Sequence, residues 1–180
     1  MRHIVFSLSL LLAATAAGGA PAASVNAGGR EAKETQPFTV DDVAQFDTPW
    51  ALAFLPDGRM LVTEKGGRIF VVTQKGQKTE VSGVPEVSAS GQNGLLDIAP
   101  APDFKKSKAV YFSYNAPADG GSSVVLARAV LKEDKGSAAL DKLTEIWRQD
   151  AVARGGQPGG IIAFAPDGKH LFLTLGDRMQ

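Results

Sequence analysis

Short apolar runs separated by turn residues recur along the chain from Trp50 onward. Residues 50–63 read WALAFLPDGRMLVT, residues 95–114 read LLDIAPAPDFKKSKAVYFSY, and residues 160–174 read GIIAFAPDGKHLFLT. In each segment Pro-Asp-Gly or Pro-Asp-Phe separates two apolar runs. Proline fixes φ and an aspartate side chain bonds the backbone that follows, so each Pro-Asp pair predicts a turn between antiparallel strands.

The Pro-Asp turns start at positions 56, 102 and 166, which gives spacings of 46 and 64 residues. Repeats of about 40–50 residues built from short strands are typical of β-propeller blades. Four strands are predicted in each of the first two repeats, with longer loops at 115–122 and 132–142, and two in the third repeat. The chain is therefore predicted to be all-β, with about two and a half four-stranded propeller blades.

Two and a half blades would form an incomplete ring, because a propeller needs at least about four blades to close. The last strand would leave an apolar, unpaired edge. The sequence therefore predicts the N-terminal part of a longer protein. Trp50 and Trp147 fall in predicted strands and are expected in the core or between blades.

The first residues form a predicted targeting segment. Arg2 is followed by an apolar stretch from Ile4 to Ala17, and Ala20-Pro21-Ala22 fits a signal-peptidase site. Residues 1–22 are therefore predicted to be a secretory signal peptide, with an uncleaved membrane anchor as the alternative. Residues 23–36 are small and polar and predict a flexible leader, and residues 37–180 the propeller domain. Export without cysteines favours a bacterial periplasmic or secreted protein with no membrane attachment after cleavage.

Composition excludes several classes of function. The 19 basic residues balance the 19 acidic ones, so no charged surface for nucleic acid is predicted. The chain has no cysteine and two histidines, His3 and His170. This excludes a disulfide framework, a thiolate zinc site and a multi-histidine metal centre.

Alternating strand directions decide which loops share a face of the predicted propeller. The Pro-Asp turns and His170 lie on one face. The opposite face, called the near face below, receives Lys65 and the loops 91–94, 155–160 and 176–178. Each glycine-rich loop alone is typical of a tight turn, but several together at one mouth favour a ligand site. The candidate site residues are Gln92, Asn93, Gln157, Asp177 and Arg178.

At these residues the chain resembles the soluble pyrroloquinoline-quinone (PQQ)-dependent sugar dehydrogenases, also called glucose/sorbosone or aldose sugar dehydrogenases. The matching segments lie within about residues 46–178. In order, they read PWALAFLPDGRMLVTEKGGRIFVV, GQNGLLDIAPAPDF, KAVYFSYN and GGIIAFAPDGKHLFLTLGDR. The GQNGLLD string and the order of the segments carry the resemblance, since Pro-Asp-Gly alone occurs in many propellers.

The resemblance implies a six-bladed propeller with PQQ over the near face, calcium holding the cofactor, and an aldose sugar above it. In the family a histidine takes the proton of the sugar hydroxyl while hydride passes to the quinone, and an aspartate orients that histidine. Gln92 matches a glutamine at the family's sugar and cofactor site, and Asp177 matches the aspartate. Asn93 and Arg178 are expected to bind substrate or cofactor. The principal cofactor and calcium ligands are expected outside this chain, which leaves no predicted metal ligand within it.

The sequence departs from the family at two positions. Gln157 stands where the family has its catalytic histidine, and Ile161 stands where it has an arginine. An amide donates and accepts hydrogen bonds but is not a useful proton acceptor. Asp177 is the carboxylate placed to act as a base, although the same residue could equally cap a turn.

Two functions follow from this pattern. The first is an oxidoreductase that oxidises an aldose hydroxyl by hydride transfer to PQQ, present here as an N-terminal part that is inactive alone. The alternative is a non-catalytic propeller of the same descent that binds a sugar or another ligand, because Gln157 has replaced the base. No residue pattern identifies an electron acceptor.

Overall fold

The computed structural model describes residues 38–153 and 155–179. The predicted signal peptide, the predicted leader and His3 lie outside the described residues. The chain divides into two compact units, Met1–Asp41 and Asp42–Gln180. In the first unit the described residues, 38–41, are exposed and in no helix or strand. The second unit carries all the elements described below.

Ten strands and one helical turn make up the second unit as described. The first blade contains β1 (Pro49–Phe54), β2 (Met60–Glu64), β3 (Arg68–Val72) and β4 (Lys78–Ser82). The second contains β5 (Leu95–Pro100), β6 (Ala109–Ala118), β7 (Gly121–Asp134) and β8 (Ser137–Arg148), with α1 (Phe104–Ser107) between β5 and β6. The third contains β9 (Gly159–Phe164) and β10 (Leu171–Leu175). No helix in the described part of the chain is long and apolar enough to cross a membrane.

Consecutive strands within each blade pair antiparallel. The predicted all-β fold of two complete four-stranded blades and half of a third is therefore confirmed. One pairing was not predicted: Val81 and Ser82 of β4 pair in parallel with Ala138 and Ala139 of β8. The outer strands of the first two blades are thereby joined, and β1–β8 form a single eight-stranded sheet.

The prediction of long loops at 115–122 and 132–142 in the second blade is wrong. Strand β6 pairs with β7 as far as Ala118 opposite Gly121, and β7 pairs with β8 as far as Asp134 opposite Ser137. Positions 115–118 and 132–134 therefore belong to strands rather than loops. Pro117 lies at the far end of β6, where its missing N–H costs the ladder little.

The main core lies between the first two blades and within the second. Strands β2 and β3 are buried on both faces, which explains their continuous apolar runs. Leu61, Ile69 and Val71 face the main core, whereas Val62, Phe70 and Val72 form a second cluster. Trp50 and Trp147 are 45% and 39% exposed, so the prediction that they lie in the core is wrong, whereas their placement between blades stays a prediction.

A hydroxyl group links each described blade to the next. Thr63 of β2 accepts the N–H of Ala51 at 3.0 Å and donates to the carbonyl oxygen of Leu96 at 2.8 Å. Ser113 of β6 repeats this arrangement, accepting the N–H of Asp97 at 3.2 Å and donating to the carbonyl oxygen of Gly160 at 2.6 Å. We call this arrangement the hydroxyl link. Because it fixes the start of the first strand of the next blade, it also sets where the near-face loop before that strand ends.

Candidate active site at the near face

The loops assigned to the near face converge at one end of the second unit. The Lys65 amine donates to the carbonyl oxygen of Gly91, and the Leu95 N–H donates to the carbonyl oxygen of Lys65 at 2.9 Å. These bonds join the turn after β2 to the loop before β5. The Pro-Asp turns of the second and third blades lie close together at the opposite end. A Cβ atom placed on Gly168 would be in van der Waals contact with Pro102. The predicted division of the loops between two faces agrees with these contacts.

Gln92 and Gln157 are in direct contact although 65 residues separate them. The Gln157 main-chain N–H donates to Oε1 of Gln92 at 2.6 Å. Gln157 has a φ of 40°, in the left-handed region that non-glycine residues adopt at some cost. Its carbonyl oxygen lies so close to Gly176 that any side chain there would overlap it. The loop before β9 is therefore held between the loop before β5 and the segment after β10.

Asp177 follows Gly176 at the exposed end of β10, beside the Gln157 loop. Its Oδ1 accepts the N–H of Met179 at 2.9 Å. This bond is typical of an aspartate that stabilises a turn, which is the second role that the sequence left open for this residue. Met179 in turn lies against Gly156, where a side chain would overlap its sulfur atom.

Asn93 and Arg178 belong to a buried polar cluster beneath these loops. Nδ2 of Asn93 donates to the Ser122 hydroxyl at 3.2 Å. The Arg178 guanidinium donates to the same hydroxyl at 3.0 Å and to Oε1 of Gln149 at 2.7 Å. Asn93 and Arg178 are 4% and 1% exposed. The cluster therefore ties the segment after β10 to the second blade.

Burial lowers the pKa of the Arg178 guanidinium from its ordinary value. That ordinary value lies so far above neutrality that the group stays charged at physiological pH. Sequence reasoning missed Ser122 and Gln149. Both lie near strand ends of the second blade, and their contacts with residues 29–56 positions away depend on the folding of the sheet.

Glu64 at the near face and His170 at the opposite face both have structural partners. Glu64, 2% exposed at the end of β2, accepts the N–H of Asp47 at 2.7 Å and forms an ion pair with Arg68. His170 lies with the Pro-Asp turns, and its Nδ1 contacts Oδ2 of Asp167 at 2.9 Å. No group of three or more His, Cys, Asp or Glu side chains that could hold a metal ion occurs within residues 38–153 and 155–179.

Comparison with known proteins assigns the chain to a family. The family model described as Glucose / Sorbosone dehydrogenase matches residues 46–180. The chain belongs to the glucose/sorbosone dehydrogenase family. The resemblance seen in the sequence is therefore confirmed.

Three relatives illustrate the match. The aldose sugar dehydrogenase YliI of Escherichia coli is 39% identical over 139 residues, which are 76% of this chain and 37% of that protein. A solved glucose dehydrogenase matches with a TM-score of 0.69 and 38% identity, over 74% of this chain and 42% of that one. The PQQ-bound aldose sugar dehydrogenase of Streptomyces coelicolor matches with a TM-score of 0.65 and 33% identity, over 78% and 42%.

The chain thus spans about two fifths of the length of these relatives. All three relatives carry dehydrogenase names. Ile161, which the sequence resemblance predicts to stand at the position of the family's arginine, lies in β9 and is 58% exposed.

Proposed function

We propose that this chain forms part of a PQQ-dependent dehydrogenase that oxidises a hydroxyl group of an aldose sugar. The observation that carries the proposal is the contact between Gln92 and Gln157, which brings two predicted site residues from different blades to one mouth. The PQQ bound to the Streptomyces coelicolor relative supports the choice of cofactor. The quinone supplies the acceptor for the hydride that leaves the sugar carbon, and a base must take the hydroxyl proton.

The described residues suit a neutral, hydrogen-bonding part of such a site. Oδ1 of Asn93 is buried and has no hydrogen-bond partner among the described residues, so it offers an acceptor to a bound group. The backbone at Gly155 and Gly156 lies close against the side chains of Asn93 and Met179, which leaves no room for side chains of its own. Gln92, Asn93 and the near-face backbone would therefore hold and orient a flat ligand by hydrogen bonds.

Calcium does not fit the described part of the chain. Calcium takes six to eight oxygen ligands, commonly from several carboxylates, and no such cluster occurs in residues 38–153 and 155–179. A carboxylate-rich calcium site is therefore not formed by the described residues alone.

Gln157 is predicted to stand where the family has its catalytic histidine, but a glutamine side chain cannot act as a base. Its amide can donate to or accept from a sugar hydroxyl, but it cannot hold the hydroxyl proton. Asp177 lies beside it and is the carboxylate that this chain offers for the task. Because a glutamine amide takes no proton, proton removal is expected to be slower here than with a histidine at position 157.

The remaining assignments complete the proposal. Residues 1–22 serve as a signal peptide, residues 23–36 as a leader, and residues 37–180 begin the propeller domain. The protein acts in the bacterial periplasm or outside the cell.

A chimera tests this proposal. Residues 46–179 of this chain replace the matching part of the Escherichia coli aldose sugar dehydrogenase, and PQQ binding and aldose-dependent dye reduction are measured separately. The folded chimera is expected to bind PQQ and to oxidise aldoses slowly. Gln157→His is expected to raise turnover at least about tenfold, a modest part of the 10²–10⁴-fold typical of general-base catalysis.

Two controls accompany the chimera. The double variant Gln157→His with Ile161→Arg tests whether the second departure also limits turnover. This chain alone is expected neither to bind PQQ tightly nor to oxidise sugars. A folded chimera that fails to bind PQQ would contradict the proposal. Brisk turnover that both variants reduce would show that another group is the base.

A further inference from the structure

Ser122 contacts three segments that meet at the near face. It is buried near the start of β7, at the end of the β6–β7 hairpin. Its hydroxyl oxygen accepts hydrogen bonds from Asn93, before β5, and from Arg178, after β10. Its main chain pairs with Val152, on the segment that leads to β9. One residue of the second blade therefore holds the loop that enters its own blade and the segments on both sides of the β9–β10 hairpin.

The main-chain contact fixes the segment that leads to Gln157. The Ser122 N–H donates to the Val152 carbonyl oxygen at 3.2 Å, and the Val152 N–H donates to the Ser122 carbonyl oxygen at 3.0 Å. Gly121 permits this approach, because a Cβ atom placed there would lie 2.1 Å from the Val152 carbonyl oxygen. The loop before β9 therefore starts from a point anchored on β7.

The hydroxyl contact fixes the Asn93 amide and the Arg178 guanidinium. A hydroxyl oxygen has two acceptor lone pairs, and these two donors occupy both. Asn93 and Arg178 are buried, so neither can turn away from Ser122 without leaving a donor unpaired at a cost. The loop before β9 also lies against this amide, since a Cβ atom placed on Gly155 would be 2.0 Å from Nδ2 of Asn93.

The groups held by Ser122 are adjacent in the chain to the candidate site residues. Asn93 directly follows Gln92, whose Oε1 accepts the Gln157 main-chain N–H at 2.6 Å. Arg178 directly follows Asp177 at the end of β10. A shift of the Asn93 amide or of the Arg178 guanidinium would therefore move the residues proposed to contact the ligand.

We propose that Ser122 is a positioning residue of the near-face site. Its oxygen and its main chain hold Gln92, Gln157 and Asp177 at the spacing in which they meet the cofactor and the sugar hydroxyl. Ser122 acts through these residues rather than by contact with a ligand. The inference rests on the proposed function, because the site that Ser122 serves is the one proposed to bind PQQ and an aldose.

Substitutions at position 122 of the chimera separate the oxygen from the space that it fills. Ser122→Ala removes the acceptor, Ser122→Cys fills the space with a weak acceptor, and Ser122→Thr keeps the oxygen. Ser123→Ala is the matched control: Ser122 and Ser123 are 3% and 2% exposed, and neighbouring strand residues point to opposite faces. If the oxygen positions the site, the Ala and Cys variants behave alike and the Thr variant resembles the unmodified chimera.

Hydrogen exchange measured by mass spectrometry reports on the loops without any cofactor. Peptides that contain Gln157 or Met179 are expected to exchange about tenfold faster in Ser122→Ala and Ser122→Cys, the effect of about one lost hydrogen bond. Ser122→Thr and Ser123→Ala are expected to leave that exchange unchanged. Unchanged exchange in Ser122→Ala, or protection kept by Ser122→Cys and lost in Ser122→Thr, would overturn the proposal.

PQQ affinity and aldose turnover measure the consequence for the site. Ser122→Ala and Ser122→Cys are expected to weaken PQQ binding or to lower kcat/KM about tenfold, and Ser122→Thr to restore both. Full binding and turnover in a Ser122→Ala chimera whose loops exchange faster would show that the site does not depend on Ser122, and would overturn the proposal. A folded, unmodified chimera that does not bind PQQ would contradict the proposed function, and hydrogen exchange alone then decides whether Ser122 holds the loops.

Discussion

The hydroxyl of Thr63 donates a hydrogen bond of 2.8 Å to the carbonyl oxygen of Leu96, which fixes the second blade to the first. Thr63→Val keeps the branched shape but leaves this carbonyl and the Ala51 N–H without their buried partner. We expect a loss of about 1–3 kcal/mol in the free energy of unfolding, measured by denaturant titration. Thr144→Val, the same change at an exposed position of β8, should cost far less. Equal losses in the two variants would contradict the importance of the link.

The hydrogen bond from the Gln157 main-chain N–H to Oε1 of Gln92 should slow hydrogen exchange of that N–H. Gln92→Ala removes the acceptor, so the Gln157 N–H should exchange with solvent about tenfold faster, as expected for the loss of about 1.4 kcal/mol. Gln92→Glu retains an acceptor oxygen and should preserve the protection. Site-resolved hydrogen exchange measures both variants. Unchanged protection in Gln92→Ala would mean that the loop is held by its other contacts.

Gly176 allows the segment after β10 to approach the Gln157 carbonyl. A side chain at position 176 would overlap that carbonyl, and the backbone must shift to relieve the overlap. Gly176→Ala is therefore expected to cost about 1–3 kcal/mol, a fall of roughly 2–12 °C in Tm by calorimetry. Gly66→Ala is the matched control, because no atom lies within 4 Å of a side chain placed there. Equal melting temperatures for the two variants would contradict the close approach.

The phenol of Tyr114 should make the stability of the fold sensitive to alkaline pH. Burial, together with the nearby Glu145 carboxylate, raises the pKa of its phenol to about 12, from an ordinary value of 10.0. Folding thus favours the protonated phenol, whose stabilising contribution is complete below pH 10 and is lost as the pH rises to about 12. Tyr114→Phe should flatten the fall of Tm across this window. An unchanged pH dependence in the variant would exclude Tyr114 as its cause.

The sequence predicted most of the fold because apolar runs and Pro-Asp turns mark strands that are buried. It missed the outer parts of the second blade for the same reason. Lys132, Glu133 and Asp134 are paired by their backbones but hold polar side chains, so no apolar pattern identifies them as strand. The parallel pairing of β4 with β8 depends on main-chain groups that any sequence offers.

Strand topology predicts which loops share a face, but it does not predict the contacts between side chains within the site. Strand direction placed Gln92 and Gln157 at one mouth, and their hydrogen bond agrees with that placement. The partners of Arg178 could not be read from the sequence, since a buried guanidinium between Ser122 and Gln149 depends on how three loops pack. The catalytic roles proposed for Gln157 and Asp177 stay predictions.

The parallel pairing of β4 with β8 also has a consequence for how the protein opens. By joining the outer strands of two blades, it makes β1–β8 one hydrogen-bonded sheet. The segment that carries Gln92 leaves this sheet at the end of β4 and returns to it at the start of β5. Because the second blade cannot swing away from the first at this seam without breaking main-chain hydrogen bonds, Gln92 is expected to keep its position relative to both complete blades.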